Sequence, residues 1–344
     1  MSLAYVNAHD CAEPHKQAIW GLSYLPANAS HPEGRVLSAS ADGSLKLFST
    51  SSGQASLTYP PDQPHTLAVV SLSTSEDGSL ALYNTLEGTT RLIGTENGDL
   101  KGTWASYGAQ AGAEDAVEPA WSVSLHPKGS VYASTGGLGN LTIHSAASDD
   151  FGSKMRTISS EGRQKFGMFC SFSPDGKRIA LASETGQITV FDVESGALEA
   201  SYNTHAMGVR SLAWSYDNSL LLSASEDTHL GLHDVRVSSG SGKPGSGVVA
   251  TFAGHKSWVL SADLSADGRL GLSGSADKTI KVWDIGARAA VSNIQDTDKV
   301  WAVKWRAIGG GGGVASSTAS FASGGEAGAV RWWRAAGTGV KAEI

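Results

Sequence analysis

GHKSWVLSADLSADGRLGLSGSADKTIKVWDIG, residues 254–286, decides the fold. It reads as a Gly-His turn, a strand from Trp258 to Leu264, an Asp-Gly turn and a second strand ending at Ser275. An Ala-Asp-Lys turn then leads to a third strand that closes on Val282-Trp283-Asp284. The strands are short and alternating, and the connections are too short to cross over a sheet, so the unit is a set of antiparallel hairpins and not a βαβ unit.

The same grammar recurs along the chain. THAMGVRSLAWSYDNSLLLSASEDTHLGLHDV from Thr204 and FCSFSPDGKRIALASETGQITVFDVESG from Phe169 follow it closely. Looser copies run through AIWGLSY with VLSASADGSLKLFS, VVSLSTSEDGSLALYNTLEGTTRLIG, AWSVSLHPKGSVYASTGGLGNLTIHS, and VWAVKW with FASGGEAGAVRWWR, which makes seven. The third strands close on Phe48, Ile93, His144, Phe191, His233, Trp283 and Trp333, spaced by 45, 51, 47, 42, 50 and 50 residues. A repeat of roughly this period, too short to bury a core by itself, points to a propeller. The expected fold is all-β, a seven-bladed propeller. Residues 1–344 are expected to form one domain, because closed β architectures exceed the usual domain length.

Composition agrees. Of 344 residues, 40% are hydrophobic and 17% charged, with 42 Gly and 10 Trp, so apolar material is ample and turns are frequent. A net charge of -7 argues against a surface built to neutralise phosphates, and no direct nucleic-acid contact is expected. Cys11 and Cys170 sit in no metal-ligand or disulfide spacing. The opening MSLAYVNAHD lacks a basic region followed by an apolar one, and no apolar run approaches a membrane span, so an intracellular, membrane-free protein is expected.

Gly-His and Trp-Asp marks at this spacing resemble the WD40 family, over residues from about 15 to 334. The resemblance implies a structural tetrad, a buried hydrogen-bond chain, complete in one blade: His255, Ser273, Asp277 and Trp283. The first blade has His15, Ser38 and Asp42 with Phe48 in place of Trp, and the fifth has His205, Ser223 and Asp227 with His233. The remaining four blades carry incomplete sets and are expected to hold mainly by apolar contact. By the family's closure pattern, Leu3–Asn7 becomes the outer strand of the last blade. The segments Ser238–Gly247 and Gly309–Gly313 read as flexible insertions within blades.

Ser, His and Asp are also the material of nucleophilic catalysis, but here they repeat at positions the fold already explains, whereas a triad is needed once. The glycine run lacks the Lys-Ser/Thr of a phosphate loop, and the histidines lack metal-ligand spacing, so no enzyme activity, cofactor or metal is expected.

The positive signal lies at the start of the inner strands. Alignment of the copies places Trp20, Ala68, Trp121, Met168, Arg210, Leu260 and Trp301 at one position, which in WD geometry rings the mouth of the central channel. Aromatic and Arg side chains dominate binding energetics, so Trp20, Trp121, Met168, Arg210, Leu260 and Trp301 are the candidate partner-binding ring. The alternative is that they fill space between blades. Asp10, Glu13, Glu114, Asp115, Glu118, Asp296 and Asp298 would add an acidic rim suited to a segment offering one large apolar side chain and an Arg or Lys.

Several stretches also resemble the WD-repeat subunit of the superkiller (Ski) complex: Ala8-His9-Asp10 followed by Ala18-Ile19-Trp20, the run 196–212 ending HAMGVRSL, GHKSWVLSADLSADG, SADKTIKVWDIGAR, and DKVWAVKW from Asp298. The longer CAEPHKQ segment and the glycine loop depart from it. The resemblance implies a cytoplasmic and nuclear scaffold. It would bind a tetratricopeptide-repeat protein beside a helicase in support of exosome-mediated 3′ to 5′ mRNA decay, or meiotic-recombination or transcription-elongation partners. A cullin-ligase substrate receptor, the rival reading, would use a Trp-Asp-x-Arg box, which His233-Asp234-Val235-Arg236 only approximates.

Overall fold

Turn chemistry punctuates the chain before any long-range contact forms. In four inner hairpins a Ser-x-Asp turn closes on itself: the hydroxyls of Ser75, Ser173, Ser215 and Ser265 donate to Asp77, Asp175, Asp217 and Asp267 at 2.5–2.6 Å. The same carboxylates accept the N–H two residues on, at 3.0–3.1 Å. The residue after each Asp must enter the left-handed region. It is Gly at 78, 176 and 268, and Asn at 218, where φ is 60°.

The computed structural model describes residues 3–61, 64–106, 120–159, 166–237, 247–307 and 318–336. They form seven four-stranded antiparallel sheets. Blades 1 to 6 are contiguous in sequence, with inner strands Ile19–Leu25, Val69–Thr74, Ala120–Leu125, Gly167–Phe172, Val209–Trp214 and Val259–Leu264. Blade 7 starts from Val300–Trp305 and takes its outer strand, Tyr5–Asp10, from the other end of the chain. Every inner strand touches the inner strands on both sides, blade 7 meeting blade 1, so the sheets close into a ring: a seven-bladed β-propeller.

The closing strand begins and ends later than Leu3–Asn7. Its register is set by Tyr5, whose ring lies 5.2 Å from Phe321 and 6.1 Å from Trp305 and whose hydroxyl donates to the Thr318 carbonyl at 2.9 Å. That anchor pairs Tyr5 with Ala335 and carries the ladder to Asp10 opposite Arg331. Core clusters fill the spaces between adjacent sheets. Leu272, Ile280 and Val282 of blade 6 meet Val300, Val303, Phe321 and Trp333 of blade 7. The Ser238–Gly247 insertion, apart from Gly247, and the Gly309–Gly313 loop lie outside the described residues.

Each inner strand has an edge with no strand beside it, and its outward N–H groups need acceptors. At four of the seven seams side chains of the preceding blade supply them. Ser71 and Ser73 accept from the Val123 and Leu125 N–H at 3.1 and 2.9 Å, and Ser122 and Ser124 from Cys170 and Phe172 at 3.2 and 3.1 Å. Ser211 accepts from Ala262, Ser261 from Val303, and the Asp263 carboxylate from Trp305 at 2.8 Å. Asp263 also holds Lys304 at 2.7 Å.

Tyr5→Ala should lower the free energy of unfolding in a denaturant titration by about 3 kcal/mol, the usual cost of deleting a buried aromatic ring. Removing residues 1–10 should abolish a cooperative transition altogether, because the blade 7 strand Val330–Ala335 then becomes an exposed edge. A truncated protein that unfolds with unchanged midpoint would refute the closure role.

Candidate functional site

The site follows from one irregularity repeated seven times. Ile19 pairs with Ser40 and Gly21 with Ala39, so Trp20 is an extra residue with no partner of its own. The same single-residue bulge places Val70, Trp121, Met168, Arg210, Leu260 and Trp301 outside the ladder in the other blades. A bulge bends its strand and re-aims the extra side chain. Here all seven line one end of the axial channel, a cavity of about 620 Å³. The six residues expected to form the ring are therefore brought together. Blade 2 differs: its member is Val70, whereas Ala68 is buried and does not line the channel. Ala68 precedes the strand, where its carbonyl accepts the Leu86 N–H, so counting from the apolar run put the alignment two residues early.

The mouth is asymmetric. Trp20 and Trp301 face each other across blades 1 and 7 with ring centroids 6.0 Å apart, and the Trp301 indole N–H donates to Glu326. Trp121 stands edge-on to Phe166 at 5.7 Å. On the far side Arg210 donates to Glu226 at 2.6 Å and lies 5.5 Å above the Trp258 ring, so its charge is already paired and its guanidinium held. Trp258, 43% exposed, joins Leu67, Leu86, Leu138 and Met207 as large apolar side chains left open on the turns of this face. The sequence reading missed them, although Trp258 is visible as an aromatic residue just outside a strand.

Of the acidic residues expected on the rim, Glu13 is exposed and Asp298 half-buried. Asp296 and Asp10 both engage Arg331, and Asp296 is buried. Glu114, Asp115 and Glu118 lie outside the described residues. The inner rim instead carries Glu184, Glu226 and Glu326, which occupy one equivalent position after the second strand of blades 4, 5 and 7. Their N–H groups donate across the turn to Phe166, Gly208 and Lys299, a regularity the sequence alignment could have exposed.

Beneath this face lie the buried polar chains. In blade 6, His255 Nδ1 is 2.9 Å from Asp277, His255 Nε2 is 2.7 Å from Ser273 Oγ, and the Trp283 indole donates to the same oxygen at 2.8 Å. The carboxylate can only accept, so Nδ1 carries the proton and the serine hydroxyl donates to Nε2. Blade 5 repeats this with His205, Asp227 and Ser223, and His233 Nε2–H takes the indole's place, 3.1 Å from Ser223. In blade 1, His15 lies 2.7 Å from Ser38 and 3.2 Å from Asp42, with Phe48 offering no donor.

The other blades are less apolar than their incomplete sets suggested. Trp333 donates to Ser323 at 2.8 Å, His144 bonds Ser134 at 2.9 Å, and His65 bonds Tyr83 at 2.9 Å. In each of these partial chains the Trp or His at the end of the third strand, or the His of the entry turn, still meets one partner.

These distances are those of a Ser-His-Asp triad, yet Ser273 and Ser223 are 0% exposed and each hydroxyl is held by a second side-chain donor. No substrate can reach them. Among the described residues no group of three His, Cys, Asp or Glu side chains is placed to hold a metal ion.

Comparisons with known proteins agree with this geometry. The family described as WD domain, G-beta repeat (WD40) matches residues 10–49, 196–234 and 246–284. The fold is a seven-bladed β-propeller, and three of its segments match the WD40 repeat of scaffold-type proteins. The chain is similar to the meiotic recombination protein rec14 of Schizosaccharomyces pombe, 27% identical over 68% of this chain and 72% of that protein. It is also similar to the LEC14B protein of Lithospermum erythrorhizon, 31% identical over 42% of this chain and 31% of that one. A DDB1- and CUL4-associated factor 11 homolog of Caenorhabditis elegans is 32% identical over 42% of this chain and 26% of that protein. The chain thus spans less than a third of the latter two.

Burial dominates the titration of these chains. It holds His233 neutral, with its pKa down to about 3, and lowers His205 and His255 despite their carboxylate partners. For Asp277, burial pushes upward but the bonds from Thr279, the Lys256 N–H and His255 prevail, leaving it at about 2. Both kinds of group bind protons more readily when unfolded. Stability should therefore be full above pH 6.5, fall through the histidine window toward pH 3, and fall further below 3.8 as Asp277 titrates. His233→Phe, which copies Phe48 of blade 1, should remain folded and flatten the limb between pH 6.5 and 3 in thermal melts. An unchanged limb would exclude His233 as its source.

Proposed function

We propose that the protein is a non-catalytic docking platform whose partner seats a peptide segment on the channel mouth between Trp20, Trp121 and Trp301. The carrying observation is the bulge ring: seven side chains freed from the ladder and aimed at one opening, three of them Trp. With Glu226 taken up by Arg210, Glu184 and Glu326 leave the ring's rim acidic, which favours a segment with a large apolar side chain and an Arg or Lys.

The partner we infer is a tetratricopeptide-repeat scaffold, as in the Ski complex that the sequence resembles, placing the protein in mRNA decay with the exosome. Similarity to rec14 across most of both chains supports a role in meiotic recombination within the same range of functions. Cytoplasmic and nuclear residence goes with this reading. A cullin-ligase receptor is the second reading, favoured by the likeness to a DDB1- and CUL4-associated factor. Against it, Asp234 of the degenerate box is turned onto its own Arg236 at 2.7 Å.

Affinity capture of the full chain followed by mass spectrometry separates the two: a tetratricopeptide protein is expected, and a cullin adaptor in its place would overturn the first reading. Single Trp20→Ala, Trp121→Ala and Trp301→Ala variants should keep the far-ultraviolet spectrum and lose at least about tenfold in partner affinity, as truncated hot spots do. Unchanged affinity in all three would remove the ring from the interface.

A further inference from the structure

The seam between blade 7 and blade 1 differs from the other six. Four seams carry hydroxyl or carboxylate acceptors for inner-strand N–H groups, as described above. The seam between blades 1 and 2 has Ser23 bonded to Thr74 at 2.7 Å, and that between 4 and 5 has the Trp214 indole donating to the Ser171 carbonyl at 3.1 Å. At the closing seam the two bridging positions are Ala302, which has no hydroxyl, and Lys304, which turns back to Asp263. Among the described residues nothing on the inner strand of blade 7 accepts from Leu22 or Tyr24, the residues equivalent to Val123 and Leu125. The indole N–H groups of Trp20 and Trp332, whose rings lie at this seam, are buried without an acceptor. Unmet buried donors lower the cost of local opening.

The seam is packed by Ile19, Tyr24 and Phe48 against Ala322, Val330 and Trp332 and bridged by the His15 N–H on the Gly328 carbonyl at 2.8 Å, and two further side-chain contacts span it nearer its ends. On one face Arg306 bonds Glu33 at 2.7 Å, an exposed pair of small worth. On the other, Trp20 of blade 1 meets Trp301 of blade 7. We propose that the seam between blades 7 and 1 is where the ring opens locally, that the Trp20–Trp301 contact is its latch, and that a partner seated on this pair holds the ring shut. The last clause rests on the docking reading above; the first two do not.

Hydrogen-exchange mass spectrometry on the full chain, without partner, tests the latch. The Leu22 and Tyr24 amides should exchange at least about tenfold faster than those of Val123 and Leu125. Trp20→Ala and Trp301→Ala should each accelerate exchange across 19–25 and 300–305, while Trp121→Ala, beside a seam with two hydroxyl bonds, should leave 120–125 protected. Ala302→Ser restores the hydroxyl found at Ser71, Ser122, Ser211 and Ser261 and should slow exchange at Leu22. Equal protection of the two amide pairs in the unaltered chain, or tryptophan variants no more labile at the seam than Trp121→Ala, would overturn the proposal. Partner capture read on the same variants keeps the two ideas apart: lost capture with unchanged exchange sinks the latch and leaves the docking surface standing.

Discussion

Everything in this ring depends on how it treats the inner edges of its sheets. A four-stranded blade offers its neighbour a row of backbone donors, and at the channel those donors face neither strand nor bulk solvent freely. The solution is a side-chain acceptor one strand away: a serine hydroxyl, or once a carboxylate, aimed at the next blade's N–H. These bonds orient adjacent blades as apolar contact alone cannot, because burial has no direction whereas a hydrogen bond does.

The same edge explains the site. A residue freed from the ladder by a bulge is re-aimed, and in all seven blades it lines the axial channel. Scaffold and binding surface thus come from successive residues of one strand: Trp121 faces the mouth while Ser122 and Ser124 tie blade 3 to blade 4. The buried His, Ser and Asp chains stiffen blades 1, 5 and 6 behind it, and do so with His or Phe as well as Trp at their end.

Much of this was legible in the residues. Seven copies of one hairpin grammar specify the propeller, because turn chemistry and strand period are local properties. Six of seven mouth positions follow from aligning inner strands. Blade 2 failed because its strand lacks a bulky residue to mark the bulge, and Ala68 and Val70 look alike to a pattern of apolar residues. Two rim residues were misjudged for a different reason: whether Asp10 and Asp296 are free depends on Arg331, over 300 residues from the first and 35 from the second, and no local reading weighs that contact. The Glu184, Glu226 and Glu326 set was hidden because glutamate on a turn carries no signal until its register is known. The closing strand was found but its bounds were not, since they are fixed by where Tyr5 lands between Trp305 and Phe321.

The bulge position has one property that no other site in the blade shares. Its side chain has no ladder partner and no part in the buried chains, and the seven blades fill it with Trp, Val, Met, Arg and Leu without any change of register. It is in effect a blank in an otherwise filled-in template. Rewriting the five of those residues outside the Trp20–Trp301 contact would re-address the ring to a different clientele without touching the closing seam, which makes this protein a natural starting frame for designed recognition.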